Sequence, residues 1–129
     1  MGRPRGFDET EVLHRAVNLF GQHGFNAVSV DTALRALGLN RASFYKLYGS
    51  KHGLMRAALE QVCHRAQAGD IDQDSRDLVL VSLLELAPID DDMRNLTSRA
   101  VDLCFASNPS HIGQHLLNRA NRTKTQGTS

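Results

Sequence analysis

The sequence predicts an all-α protein, and three observations carry that prediction. Apolar residues recur at i, i+3, i+4 and i+7 over most of the chain, the period of a half-buried helix rather than a strand. Glycine, asparagine and proline stand between the periodic runs, where helices stop and start. Hydrophobic residues make up 41% but aromatics only 5%, with no Trp, so the core is one of Leu, Val and Ala, which suits packed helices better than a sandwich. A chain of 129 residues has room for one ordinary domain, or for a small one with an appendage.

Met1 to Gly6 (MGRPRG) has no apolar period and reads as a basic arm. Phe7 to about His23 is the first helix. Asp8 can cap it, Glu11 stands at the acidic position of a capping box, and Phe7 can staple onto Val12. Val12, Leu13, Ala16, Val17 and Phe20 form its apolar stripe, and Gly24 ends it.

Ser29 to Lys51 reads as two short helices joined by a tight turn, with a third opening behind them. Val30, Ala33, Leu34 and Leu37 share one face, and Gly38 follows where a helix end favours a positive φ. Leu39 plugs the turn, and Asn40 can cap the next helix. In that helix, Arg41 to Leu47, the residues Ala42, Phe44 and Leu47 are expected to pack inward. Arg41, Ser43, Tyr45 and Lys46 then supply hydroxyls and positive charge outward. Gly49 stops it and Ser50 caps its successor. A short helix carrying donors outward and braced by another is the form of a DNA recognition helix, so the unit reads as a helix-turn-helix.

Lys51 to about Ala68 continues as a longer helix with Leu54, Ala58, Val62 and Ala66 in register. Gly69 to Asp77 (GDIDQDSRD) is polar and acidic and reads as a loop or mobile linker. Leu78 to Ala87 (LVLVSLLELA) is too continuously apolar for periodicity to classify, but Leu, Glu and Ala favour a helix that Pro88 stops. Asp90 to Asp92 place acid at the start of a helix carrying Met93, Leu96, Ala100, Leu103 and Cys104. Asn108-Pro109 breaks it, and Ser110 can cap a short helix with Ile112, Leu116 and Leu117. The expected division is residues 1–50 for the helix-turn-helix domain with its arm, 51–120 for the connector helix and a short helical regulatory or dimerisation domain, and 121–129 for a flexible tail.

Gln22 to Phe25 (QHGF), Ser29-Val30, the turn Leu37-Gly38-Leu39 and the block SFYKLYGSK at 43–51 form an ordered series. With that series, Phe7 to about Glu60 resembles the TetR family of bacterial transcriptional repressors. The resemblance implies a TetR-like three-helix DNA-binding domain, here followed by a reduced helical C-terminal domain. It also implies a repressor that binds double-stranded operator DNA as a homodimer on a two-fold site. Ser29, Tyr45 and Lys51 match positions that touch the DNA backbone in the family. The segment LVLVSLLELAPIDDDMRNL resembles the middle of the regulatory domain of some members, between helices without a counterpart here.

The residues themselves point the same way. Arg41 can reach guanine O6 and N7 or a phosphate, Ser43 a base edge or a phosphate, and Lys46 either. Arg3 and Arg5 resemble the arms that enter an A·T-rich minor groove. Residues 1–56 carry eight Lys/Arg against four acids, a net +4, while the remainder carries seven against ten, a net −3. A basic half joined to an acidic half suits a polyanion reader carried by something that is not one.

Other classes draw less from the sequence. No Gly-rich phosphate loop, GxSxG or distinctive carboxylate pair supports catalysis, and no cofactor is expected. A metal-responsive sensor using His111 and His115, four apart on one helix face, is an alternative, but no HExxH accompanies them and no metal site is expected. A helical interaction module docking Leu78–Ala87 on a partner is another. Cys63 and Cys104 are isolated and read as reduced packing thiols. No apolar run reaches bilayer length and residues 1–25 lack a signal-peptide core, so a cytoplasmic protein without membrane contact is expected.

After Ala68 three helical segments remain, with Phe105 their one aromatic residue. They are too few to wall off a conventional inducer pocket and keep a core of their own. Self-association is the better use of that surface, with Leu83, Leu84, Leu96 and Leu103 buried against a second copy or against helix Lys51–Ala68. A small-molecule inducer is then expected to bind weakly or at the subunit interface, with a conventional apolar pocket as the alternative.

Overall fold

The computed structural model describes residues 8–126, and seven helices account for most of them. In chain order these are α1 (Glu9–His23), α2 (Val30–Leu37), α3 (Arg41–Tyr48), α4 (Lys51–Gln67), α5 (Gln73–Glu85), α6 (Asp91–Phe105) and α7 (Pro109–Gln126). No strand occurs among the described residues.

Side-chain caps set the starts. Asp8, Ser29, Asn40, Ser50, Asp72 and Asp90 accept backbone N–H groups of α1 to α6 in turn. Each such cap stabilises its helix by about 1 kcal/mol. Glu11 does not complete the expected box, because its carboxylate pairs with Arg15 one turn on at 3.1 Å. The Phe7 staple lies outside the described residues. At α7 the cap is Asn108 rather than Ser110: its Oδ1 accepts from Ser110 N at 2.9 Å, and Pro109 takes the first helical position, where its missing N–H costs nothing.

Two boundaries differ from expectation. The segment 69–77 is only half loop, since α5 starts at Gln73 with Ser75 and Asp77 already buried. Arg65 holds that entry through Asp70 at 2.9 Å and Asp72 at 3.1 Å. The last helix runs to Gln126, into the expected tail, because residues 121–126 contain neither Gly nor Pro to stop it. The turn before it places Ala106 and Ser107 at φ 53° and 52°, a left-handed pair that ends α6.

Packing follows from the apolar faces. Helix α1 lies against α4 and α5, and α6 closes the ring by packing on both. Helix α2 rests on α1, α3 on α4, and α7 lies across α5 and α6. Leu78 to Ser82 are buried without a break, so α5 is enclosed on all sides there. Where α1 meets α5, a Cβ on Gly21 would stand 3.2 Å from the Asp77 Cβ, so the approach depends on a residue with no side chain. One cluster of buried side chains runs from Val12 to Phe105. The boundary expected near residue 50 is therefore not a break in the core. Cys63 and Cys104 are buried free thiols, and burial pushes the Cys104 thiol up to about 11.

Candidate nucleic-acid interface

The helix-turn-helix is built from local chemistry. The Ser29 Oγ accepts from Thr32 N at 3.0 Å and donates to Thr32 Oγ1 at 3.0 Å, fixing the start of α2. Gly38 takes φ 71°, and its N–H bonds Leu34 O at 3.0 Å, which ends α2 and turns the chain into α3. Asn40 Oδ1 accepts from Ser43 N at 2.8 Å. Leu39 is half-buried against the core.

Phe44 is the anchor of α3 and is fully buried. Tyr48, one turn on, is half-buried, and its hydroxyl is buried with no hydrogen-bond partner among the described residues. Burial, with the Glu9 carboxylate adding to it, pushes the Tyr48 phenol up to about 12. Ala42 and Leu47 do not pack inward as expected, and Leu47 is 42% exposed. Only the side centred on Phe44 and Tyr48 meets the scaffold, and eight residues at 100° steps leave Ala42 and Leu47 beyond that arc. The outer surface of α3 therefore carries Arg41, Ala42, Tyr45, Lys46 and Leu47 together.

The expected contact residues fall into four groups. Tyr45 and Lys46 are exposed on α3, and Ser43 is half-buried beside them. Arg41 is exposed but ion-paired with Asp31 of α2. Ser29 and Lys51 are engaged within the protein: the Lys51 ammonium donates to Phe25 O and Val28 O, each at 2.9 Å. Arg3 and Arg5 lie outside the described residues.

The loop between α1 and α2 is also held from the other side. Glu85, at the end of α5, accepts from Phe25 N at 3.0 Å and Asn26 N at 2.7 Å. His52 Nε2 lies 3.0 Å from Asp90 Oδ2 at the start of α6, and its ring meets the edge of Phe25 with centroids 5.9 Å apart. The Met93 N–H bond is the main reason the Asp90 carboxyl is held below the usual range, with His52 adding to it. None of these ties was visible in the sequence, because each joins residues far apart in the chain.

The residues expected to serve association are divided. Leu96 belongs to the core, where α6 packs on α4, and Leu83 and Leu103 are half-buried against that core. Leu84 alone of the four is open, at 63% exposure. Among the described residues no cluster of three His, Cys, Asp or Glu side chains could hold a metal ion, and His115 is bound to Asp77 at 2.8 Å. No described helix is long and apolar enough to cross a membrane.

Comparison with known proteins agrees with this geometry. Residues 12–58 match the family described as bacterial regulatory proteins, tetR family. The uncharacterized HTH-type transcriptional regulator YezE of Bacillus subtilis is 42% identical over 60 residues, 46% of this chain and 31% of its own length. The HTH-type transcriptional repressor ComR of Escherichia coli is 37% identical over 67 residues, 52% of this chain and 32% of its own. The HTH-type transcriptional regulator EthR of Mycobacterium tuberculosis is 29% identical over 110 residues, 84% of this chain and 46% of its own. The chain thus spans between about a third and a half of the length of these relatives. No solved structure matches the chain significantly. Residues 12–58, which hold the helix-turn-helix formed by α2 and α3 on the scaffold of α1 and α4, thus carry the likeness to the tetR family of bacterial regulatory proteins.

Proposed function

We propose that this protein is a transcriptional repressor of the cytoplasm, binding a two-fold operator in double-stranded DNA as a homodimer. The observation that carries the reading is the outer surface of α3, which presents Arg41, Tyr45 and Lys46 from a helix anchored by buried Phe44. Arg41 reads a base edge once it exchanges Asp31 for DNA, Lys46 and Tyr45 hold phosphates, and Ser43 contacts a base edge or a phosphate. Ser29 touches the backbone at the start of α2. Lys51 reaches a phosphate with the one ammonium proton not given to Phe25 O and Val28 O. Arg3 and Arg5 enter the adjacent minor groove. Two copies are required because one short helix covers only a few base pairs. Leu84 supports the association together with half-buried Leu83 and Leu103, while Leu96 contributes only through the subunit core.

Selection of bound sequences from a random duplex pool tests this reading, followed by titration of the recovered site at several salt concentrations. A two-fold consensus is expected, with affinity falling steeply as salt rises. A pool that yields no consensus would overturn sequence-specific binding. Sedimentation of Leu84→Asp against the unsubstituted protein tests the dimer, since the exposed position spares the fold. Equal masses for the two would remove Leu84 from the interface.

A further inference from the structure

Helix α7 carries a polar row along the edge it presents beside α5 and α6. His111, Gln114, His115 and Asn118 are spaced i, i+3, i+4 and i+7, and all four line a groove of about 310 Å³ whose other side is Arg76, Cys104 and Phe105. The volume lies at the small end of ligand sites. Phe105 and Cys104 are buried and make an apolar floor. Arg76 is held in place by its Nε, which donates to Cys104 O at 3.0 Å, and its guanidinium carbon stands 5.7 Å from the centre of the Phe105 ring. No ion pair engages that guanidinium among the described residues, which leaves its two terminal nitrogens to the groove. Gln114 and Asn118 bond each other at 3.2 Å along the rim.

We infer that this groove is a binding site for a small organic carboxylate with a flat apolar body. A fixed guanidinium with two parallel donors matches a carboxylate in a forked geometry that a lysine cannot reproduce. The apolar body lies on Phe105 and Cys104, and the amides of Gln114 and Asn118 close the rim. His115 joins the groove to the rest of the molecule. Its ring meets Phe105 with centroids 5.8 Å apart and bonds buried Asp77, which also accepts from Arg122 at 2.9 Å. One turn from His115, Arg119 donates to Gly21 O at 2.7 Å, in the last turn of α1. A ligand that shifts His115 therefore acts on the contact between α7 and the scaffold of the helix-turn-helix. That regulatory consequence rests on the function proposed above; the binding does not.

The test is calorimetric titration of the full chain with benzoate, and with benzyl alcohol as the uncharged analogue of the same shape, at fixed salt and without DNA. Benzoate is expected to saturate one site with a dissociation constant on the order of 1 mM, with no saturation by the alcohol. Arg76→Gln and Arg76→Lys are each expected to weaken benzoate at least about tenfold. Because Arg76 also braces Cys104 O, a second variant, Gln114→Glu, places a like charge on the exposed rim without touching the core. It is expected to weaken benzoate by a similar factor. Equal binding of benzoate and alcohol, no saturable benzoate binding, or full affinity in Gln114→Glu would each overturn the assignment. A failed operator selection would leave this titration unaffected, and a failed titration would leave the operator result standing.

Discussion

The Lys51 ammonium lies 4.3 Å from the centre of the Phe25 ring while donating at 2.9 Å to the carbonyl oxygen of that same residue. With Val28 O as its second acceptor, it ties the start of α4 to the loop that leads into α2.

Lys51→Ala is expected to lower stability by about 1–3 kcal/mol, since two carbonyls lose their donor, as read by denaturant titration without DNA. If the third ammonium proton also serves a phosphate, the same change lowers the slope of log K against log salt by about one unit. A stability loss with an unchanged slope would assign Lys51 to the loop alone.

Arg41 and Asp31 offer a paired test. Arg41→Ala should relax preference at one base pair, costing about 1–3 kcal/mol there. Asp31→Asn removes the restraint on Arg41 and a negative charge from the side proposed to face DNA. It is expected to raise affinity for all sequences while narrowing the gap between operator and unrelated DNA. Competition binding at one salt concentration measures both quantities. A lower general affinity in Asp31→Asn would show that the ion pair positions Arg41 for binding.

Glu85→Gln should free the α1–α2 loop from α5. Amide exchange at Phe25 and Asn26 is expected to accelerate, with a stability loss of about 1–2 kcal/mol as charge-assisted bonds become neutral ones. Exchange at those two amides matching the unsubstituted protein would contradict the clasp.

Tyr48 carries the clearest dependence on pH. Its phenol is raised from 10.0 to about 12, so the unfolded chain releases this proton before the folded one does. The associated stability is fully present below pH 10 and is lost as pH rises from there through about 12. The loss amounts to about 1 kcal/mol once solvent screening of a half-buried ring is allowed for. Tyr48→Phe should remove that alkaline loss and add up to about 1 kcal/mol at neutral pH, because a buried hydroxyl without a partner disappears. A destabilised Tyr48→Phe at neutral pH would mean that the hydroxyl is satisfied.

The helix-turn-helix was legible because its determinants are local. Ser29, Gly38, Asn40 and Ser50 act within three or four residues of themselves, and the apolar stripe of α1 sits in one continuous run. The second half was less legible because its polar residues turn inward. Asp77 looks like a loop residue until His115 and Arg122 arrive from 38 or more positions away. Leu47 looks like core until the arc claimed by Phe44 and Tyr48 leaves it outside. Glu85, in an apolar run, gave no sign that its partners were two amides 59 and 60 residues earlier.

The reading head cannot be exchanged as a cassette. Gly24 takes φ 87°, a conformation that side chains strain, and a Cβ there would come within 2.9 Å of Glu85 Oε2, so a substitution displaces the carboxylate that clasps the loop. Gly21, one turn earlier, is a close approach of another kind, since a Cβ there would stand 3.2 Å from the Asp77 Cβ and 3.3 Å from Asp74 O. Residues at the end of α1 and on α5 therefore constrain one another. A chimaera joined after α4, with the second half of a distant relative, would inherit mismatched partners at both glycines. A donor of the second half has to bring an α5 that suits both glycines.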